Sequence, residues 1–471
     1  METIDLLVQN ATIVTMSRDR EILRDASMAV QDGRILALGP TEDLGSRYQG
    51  RQVLNARGKV VFPGLINTHN HFFQVLLKGL GKDRGLLAWL DASVQRAYRH
   101  ITEEDIYLAT AVGAMEMLRT GVTTVLDYQY AHGRAGLSDA VIRAMEDTGI
   151  RGILGRGYTD TKDYPPERRC DVEESEDDYF SEVIRLDRKV RDSSRVSVAL
   201  APGIVWALSE DGFRRCVEVA RDLDTFITIH TIETLEDNQY SQDKYGLSTL
   251  EFFEKAGILS APFLAVHCAE ITPEEIGLLA RHDVRVSYNA ISNMMMGYKT
   301  LPLRELLDAG ITVGLATDGA ASNDNQNMLQ VLKISPLWQK AFYQDPAVIP
   351  ASRVLEMATI EGARAVFRDH EIGSLEPGKM ADFFVYNPAH ANSAPMVDPV
   401  VNLVYSADSC NVETTVVGGE IVYGDGKIIR VREKDLVGQI QENALRLWEQ
   451  AGLFNEQWNR RVVAEPFRQP R

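Results

Sequence analysis

Residues Val60-Val-Phe-Pro-Gly-Leu-Ile-Asn-Thr-His-Asn-His71 form a short apolar run that ends in two histidines. An apolar run of this length that contains a Pro-Gly pair is typical of a buried strand. Residues two apart on a strand point to the same face, so His69 and His71 project together from the strand end. Neutral imidazole is the commonest side-chain ligand of transition metals, so the pair favours a metal site.

Seven further strand-like runs follow and alternate with helix-like segments. The eight runs are, in chain order, Val60–Asn67, Thr123–Asp127, Arg151–Tyr158, Val196–Pro202, Thr225–Thr231, Phe263–Cys268, Val284–Tyr288 and Thr312–Asp318. Alternating strands and helices indicate a parallel sheet, and eight such units predict an α/β protein with a closed (β/α)8 barrel of the TIM type. An open doubly wound sheet is the alternative, but no Gly-rich phosphate turn follows the first strand.

Both ends of the chain carry strand signals. Residues 1–59 contain short Val/Ile-rich runs separated by turn signals such as Asp32-Gly33, and residues 373–432 repeat this pattern. Each end is too small to be stable alone, so we expect the two to form one composite β-sandwich beside a barrel of residues 60–372. A polar amphipathic pattern from residue 433 predicts a helical extension over residues 433–471.

The composition is that of an ordinary globular protein. The 471 residues include 50 basic and 67 acidic side chains, and this formal net charge of −17 disfavours a nucleic-acid partner. Apolar runs of membrane-spanning length and a basic secretory leader are both missing from the sequence. The four cysteines are few and scattered, as in a reducing compartment. We therefore expect a cytoplasmic protein without nucleic-acid or membrane partners.

Candidate functional residues lie at the predicted strand ends, where α/β barrels collect their chemistry. Four of the nine histidines are placed there: His69 and His71 on the first strand, His230 on the fifth and His267 on the sixth. Asp318 ends the eighth strand. Any one of them could be a structural residue. Together they predict a nitrogen and oxygen site suited to a zinc-like metal with one position open for water.

Glu233 follows His230 by three residues, in His-Thr-Ile-Glu. That offset would face the opposite side of an extended strand, so we expect the chain to turn into a loop before Glu233. An ordinary surface glutamate is the alternative. Beside an activated water, however, a partly buried carboxylate can shuttle protons, since its pKa can be tuned towards neutrality.

The chain resembles the amidohydrolase superfamily along nearly its whole length. The resemblance rests on Pro63–His71, His230-Thr-Ile-Glu233, Val266-His-Cys268, Ser292-Asn293 and Ala316-Thr-Asp-Gly-Ala-Ala-Ser-Asn-Asp324. The last segment is similar to the aminohydrolase branch. That branch includes deaminases of S-adenosylhomocysteine and methylthioadenosine, 8-oxoguanine deaminase, melamine deaminase and triazine hydrolases.

The resemblance implies one divalent metal ion per chain, Zn²⁺ or alternatively Fe²⁺. It also implies that His267 orients the attacking oxygen or the tetrahedral adduct, that Glu233 moves protons and that Asp318 accepts a proton from water. Binuclear members carry a bridging lysine at the end of the fourth strand, where this chain has Ala201-Pro202. The implied ligands of the single ion are His69, His71, His230 and Asp318.

We therefore expect a hydrolytic deaminase that converts a ring C–NH2 to C=O and releases ammonia. Relatives that act on nucleosides have an acid just before a tryptophan in the first barrel loop, whereas this chain has Leu86-Leu-Ala-Trp89. An apolar wall there favours a free pyrimidine, pterin, purine or triazine. The candidate ring contacts, through amide hydrogen bonds and stacking, are Gln74, Trp89, Gln129 and Asn293.

Other functions remain open at this point. The chain could deaminate S-adenosylhomocysteine, methylthioadenosine or adenosine, or it could release chloride or an alkylamine from a triazine. A non-catalytic scaffold of the same fold is disfavoured because every implied ligand is retained. We also expect a homo-oligomer, either dimer or tetramer. The polar segment Asp160–Asp178 is predicted to form a loop over the barrel mouth.

Overall fold

The computed structural model describes residues 1–158 and 174–453. The strands in these ranges are β1 (Glu2–Val14), β2 (Ile22–Gln31), β3 (Arg34–Pro40), β4 (Tyr48–Asn55), β5 (Val60–Pro63), β6 (Leu65–Asn70), β7 (Val122–Gln129), β8 (Arg151–Gly157), β9 (Val196–Ala201), β10 (Ile227–Thr231), β11 (Phe263–His267), β12 (Arg285–Tyr288), β13 (Val313–Leu315), β14 (Phe383–Tyr386), β15 (Val412–Val417), β16 (Glu420–Gly424) and β17 (Lys427–Ile428).

The α-helices lie mainly between the strands of the central part of the chain. They are α1 (Thr41–Arg47), α2 (Leu86–Ala92), α3 (Val94–Ala97), α4 (Glu103–Leu118), α5 (Leu137–Thr148), α6 (Glu176–Val190), α7 (Glu210–Asp222), α8 (Leu235–Tyr245), α9 (Thr249–Lys255), α10 (Pro273–Arg281), α11 (Ala290–Met296), α12 (Leu303–Asp308), α13 (Met328–Tyr343), α14 (Ala351–Ala358), α15 (Ile360–Ala365), α16 (Pro399–Ser406) and α17 (Glu433–Gln450).

Strands β6 to β13 form the predicted barrel, in sequence order and all parallel. The first and last strands meet where the Asp318 N–H donates to the His69 carbonyl at 3.1 Å. The Thr317 N–H likewise donates to Asn67 Oδ1 at 3.0 Å. Strands β6, β7 and β8 are buried along their whole length, as parallel strands covered by helices are. The (β/α)8 prediction is confirmed.

The predicted first strand, Val60–Asn67, is divided between two sheets at Gly64. Before it, β5 pairs with β1 and β14, and after it β6 begins the barrel beside β7. A Cβ atom at Gly64 would lie 1.9 Å from Thr123 Oγ1, so glycine alone permits this close passage past the second barrel strand. Buried apolar residues continue on both sides of Gly64, which is why the sequence pattern conceals the break.

The two ends of the chain combine in one sheet of nine strands. Its order is β17-β16-β15-β14-β5-β1-β2-β3, with β4 paired to β1. Strands from both ends share its core, which includes Val8, Met28, Val61, Phe383 and Val416. The division of the chain into domains stays a prediction, although strand pairing places Val60–Pro63 in this composite sheet.

The helix predicted after residue 433 is α17, which packs on α4. Arg446 donates to both carboxylate oxygens of the buried Asp105 at 2.6 Å. The rest of the predicted extension, residues 454–471, lies outside the described residues, and so does most of the predicted loop Asp160–Asp178. Among the helices that the structure describes, none is long and apolar enough to cross a membrane.

Candidate active site

Three histidine rings meet at the C-terminal end of the barrel. The Nε2 atoms of His69, on β6, and His71, directly after β6, are 3.1 Å apart, and Nε2 of His230, on β10, lies 3.4 Å from that of His71. Asp318 Oδ1 lies 3.5 and 3.3 Å from the first two nitrogens. Ligands at about 2.0–2.1 Å from a tetrahedral zinc ion are about 3.3–3.4 Å from one another. The four side chains therefore fit one shared divalent ion.

Burial keeps these imidazoles neutral. Desolvation is the main cause that lowers the pKa of His69 and His230, and it lowers the pKa of His71 to about 3. Nδ1 of His71 lies 2.7 Å from the Tyr128 carbonyl, to which it can only donate, so its Nε2 lone pair is left free. Neutral imidazoles are the form in which histidine binds a metal, and His71 presents its free lone pair beside the other two rings.

Asp318 is held in place by two donors. Its Oδ1 accepts the N–H of Gly319 at 2.7 Å, and its Oδ2 accepts the hydroxyl of Ser292 at 2.5 Å. The backbone of Asp318 is left-handed, with φ +61°, and that of His267 has φ +71°. Such conformations cost on the order of 1–3 kcal/mol and cluster at functional sites, where the surrounding structure enforces them.

His267 is oriented from behind by the start of α11. Its Nδ1 lies 2.9 Å from Asn293 Oδ1 and 3.4 Å from Asn289 Nδ2. Since the amide oxygen can only accept, the proton resides on Nδ1 and the lone pair on Nε2. That nitrogen lies on the cavity side, 3.7 Å from Glu233 Oε1. Neighbouring residues of one helix, Ser292 and Asn293, thus position Asp318 and His267.

Glu233 lies in a turn directly after β10, as the offset from His230 predicts. The chain turns at Ile232, which has φ +48°. The Glu233 side chain is nearly buried, and its Oε1 accepts the hydroxyl of Tyr298 at 3.0 Å. Desolvation raises the pKa of this carboxyl. A carboxyl shifted in this direction can donate a proton at neutral pH.

The loop that carries Glu233 is fixed by a second carboxyl. Asp237, in the first turn of α8, is fully buried, and its Oδ2 accepts the backbone N–H of Glu233 at 2.7 Å. Burial raises the pKa of Asp237 to about 7. The position of Glu233 therefore depends on a side chain that lies outside the cavity wall.

A cavity of about 400 Å³ leads from this centre to the mouth of the barrel. Two of the four predicted ring contacts, Gln74 and Trp89, line it. The Gln74 amide is held by Tyr130, whose hydroxyl accepts from Nε2 at 2.9 Å, and the indole N–H of Trp89 is buried without an acceptor among the described residues.

The other two predicted ring contacts are placed elsewhere. Gln129 is fully buried at the end of β7 and is not part of the cavity wall. Asn293 is also fully buried, and its amide oxygen lies behind His267. The described cavity wall does not support the expected contacts of these two side chains with the substrate ring, which stay predictions.

Three positioning residues were missed by sequence reasoning: Ser292, Tyr298 and Asp237. Ser292 directly precedes Asn293, so the Ser-Asn pair after the seventh barrel strand was the available signal. Tyr298 and Asp237 follow no local pattern that would connect them to Glu233.

Comparison with known proteins identifies the family of this chain. The sequence profile of the Amidohydrolase family matches residues 60–422. The chain belongs to this family. A curated relative from Acetivibrio thermocellus, a 5-methylthioadenosine/S-adenosylhomocysteine deaminase, is 33% identical over 445 residues, which cover 94% of this chain and 99% of the relative.

Solved structures agree with this membership of the amidohydrolase family. An adenosine deaminase from Xanthomonas campestris with bound zinc has a TM-score of 0.88 at 27% identity and covers 95% of this chain and 99% of its own. The zinc complex of atrazine chlorohydrolase from Arthrobacter aurescens TC1 has a TM-score of 0.86 at 26% identity, with coverages of 93% and 100%. The predicted family, barrel fold and class of hydrolase acting on C–N bonds are confirmed.

Proposed function

We propose that this amidohydrolase is a metal-dependent deaminase that exchanges the amino group of a small heteroaromatic ring for oxygen. The ring C–NH2 and water become ring C=O and ammonia. The observation that carries the proposal is the meeting of three neutral imidazoles and one carboxylate, in which His71 Nε2 lies 3.1–3.4 Å from the other three groups, beside Glu233 and His267. The relatives named as deaminases support the choice of leaving group.

The ligands proposed for one divalent ion, preferably zinc with Fe²⁺ as the alternative, are His69, His71, His230 and Asp318. When bound, such an ion lowers the pKa of a water molecule towards neutrality and polarises the attacked bond. Strand β9, the fourth of the barrel, ends at Ala201 rather than at a lysine, which supports a single ion.

The protein's own groups manage the protons. The Asp318 carboxylate is proposed to accept a proton from the attacking water, and the lone pair on His267 Nε2 accepts a hydrogen bond from the new hydroxyl group. The protonated Glu233 donates to a ring nitrogen, which moves negative charge away from the attacked carbon. Asp318 then gives its proton to the departing amino group as the C–N bond breaks, and the hydroxyl of the tetrahedral adduct returns a proton to Glu233 as the C=O bond forms. The two protons of the water thus end on the ring and on ammonia, and the reaction needs no other reactant.

The substrate is proposed to be a free base or triazine rather than a nucleoside. Among the described residues, the carboxylates that line the cavity are Glu233 and Asp318, and both are committed to the reaction. The segment where nucleoside enzymes have an acid contributes Leu86 and Leu87 to the wall. We further propose a homo-oligomer in the cytoplasm, in keeping with the scattered cysteines.

Two other functions are each favoured by one comparison. The curated relative supports deamination of methylthioadenosine or S-adenosylhomocysteine. The atrazine chlorohydrolase supports release of chloride from a chlorotriazine. Both would use the same metal ligands, so only the substrate distinguishes them from the main proposal.

An ammonia-release screen tests the proposal. The zinc-loaded protein would be assayed on aminopurines, aminopyrimidines, aminopterins and aminotriazines, with nucleosides and chlorotriazines in parallel. Ammonia release from a free ring by the wild type, lost in the Glu233→Gln variant, is the expected result. If no amino compound releases ammonia while a chlorotriazine releases chloride, the deaminase proposal is wrong.

A further inference from the structure

The cavity has a second half whose chemistry is unlike that of the metal-ligand end. Six apolar residues of its wall, here named the outer chamber, follow strand ends and are not buried in the core: Leu86, Leu87, Leu90, Ile204, Trp206 and Met296. These residues come from the segments that follow three different barrel strands, β6, β9 and β12. An apolar surface to which three separate segments contribute is a formed part of the cavity and not a single exposed side chain.

Two of these side chains are exposed although they are large and apolar. Leu87 is 58% and Trp206 is 38% exposed, and both line the cavity. Their neighbours Leu86 and Leu90 on α2 are only partly buried. Large apolar groups left open to water at the mouth of a binding cavity mark a surface that a ligand covers.

Most polar side chains in this cavity wall already have partners, and the indole N–H of Trp89, which has no acceptor among the described residues, is itself buried. No lysine or arginine is among its described residues. The hydroxyls bond within the protein: Tyr128 with Gly203, Tyr158 with Glu174, Ser292 with Asp318 and Ser322 with Gly319. A charged or hydroxylated group placed in the outer chamber would therefore lose water without gaining a partner.

We infer that the outer chamber binds an uncharged, apolar substituent of the substrate, such as an alkyl or alkylthio chain carried by the reacting ring. This inference rests on the proposed deaminase function and narrows its substrate class. The ring occupies the end beside Glu233 and His267, and the substituent lies against Leu87 and Trp206. Burial of that chain covers the exposed leucine and indole, which supplies the affinity that a small ring alone lacks.

Matched substrates test the inference. One aminotriazine ring would carry a propyl, a hydroxypropyl or a carboxyethyl chain, and ammonia release would be measured for each. The propyl compound should exceed the hydroxypropyl compound in kcat/KM by at least about tenfold, which corresponds to about 1.4 kcal/mol. The carboxyethyl compound should be poorer still, because its charge loses more hydration.

Leu87→Gln tests the chamber itself, because this exposed position tolerates a polar side chain without loss of the fold. The variant should reduce the preference for propyl over hydroxypropyl to about threefold or less, or about 0.65 kcal/mol. Leu337→Gln, on the outer helix α13 and 45% exposed, is the matched control and should leave the preference unchanged. Equal rates on the two chains in the wild type, or an unchanged preference in Leu87→Gln, would overturn the inference.

Binding separates this inference from the reaction. The ring ketones that correspond to the three substrates would be titrated by calorimetry against the zinc-loaded protein. Tighter binding of the propyl ketone, with no ammonia released from any amine, would reject the deaminase proposal and keep the chamber. Ammonia release with equal binding of all three ketones would support the deaminase proposal and reject the apolar outer chamber.

Discussion

The inner and outer ends of the cavity are built in opposite ways. At the inner end, three of the proposed reacting side chains are fixed by a directed polar contact: His71 by Tyr128, Asp318 by Ser292 and His267 by Asn293. At the outer end, apolar contact area is provided by Leu86, Leu87 and Trp206, and such contacts do not orient a ligand as hydrogen bonds do. Chemistry requires fixed atoms, whereas selection of a substituent requires only shape and polarity. Changes at the inner end should therefore have the larger effects.

Removal of a metal ligand should have the largest effect. His230→Ala removes one of the four proposed ligands, so bound metal and activity should both be lost. Elemental analysis should give one divalent ion per wild-type chain and much less in the variant. His282→Ala, which removes an imidazole paired with Glu254 on the outer surface, is the control and should keep both metal and activity. Two ions per active chain would contradict the single-ion site.

Glu233→Gln should keep the metal but lose turnover by about 10²–10⁴-fold, the usual contribution of a general acid or base. The amide is isosteric and can still accept from Tyr298, so the loop should stay in place. Because burial raises the pKa of Glu233, wild-type kcat should fall as rising pH removes its proton, and the variant should lack that alkaline decrease. Normal kcat with an unchanged pH profile would reduce Glu233 to a structural residue.

The residues behind the reacting groups should have a smaller effect. Ser292→Ala and Asn293→Ala remove the partners of Asp318 and His267 and should each lower kcat about 10–100-fold, as loss of such supporting contacts does at metal sites. Asn293→Asp keeps an oxygen to accept from His267 Nδ1 and should recover part of the loss. Steady-state kinetics with metal analysis would separate poor positioning from metal loss, and full activity of both alanine variants would break the contrast between the two ends.

The fold and the residues that meet at the inner end could be predicted from the sequence. The barrel was predictable because apolar runs alternate with amphipathic helices, and the meeting of the proposed metal ligands was predictable because strand ends share one edge of a barrel. His69, His71, His230 and Asp318 meet there, and that can be inferred without side-chain coordinates.

Side-chain direction beyond the strand ends was not predictable. Gln129 and Asn293 are fully buried and are not part of the described cavity wall, and Asn293 instead contacts His267 Nδ1. The break at Gly64 was hidden for a related reason, since one apolar run serves two sheets. Contacts that join distant segments, such as Tyr298 with Glu233, depend on the closed barrel and have no local signature.

The smallest expected effect concerns the outer end and the choice between a free base and a nucleoside. Free amino-heterocycles should exceed adenosine, methylthioadenosine and S-adenosylhomocysteine in kcat/KM by at least about tenfold, or about 1.4 kcal/mol. A ribose held against Leu86 and Leu87 would bury hydroxyls without partners, at about 1–3 kcal/mol each.

Ala88→Glu would place a carboxylate directly before Trp89, at an exposed position that tolerates it. The variant should raise the nucleoside rates and so reduce the kcat/KM ratio of free bases to nucleosides. Leu337→Glu, which adds the same charge on α13, should leave the ratio unchanged. If a nucleoside is the best wild-type substrate, the apolar wall does not control this choice, and the contrast between the two ends then holds for the chemistry alone.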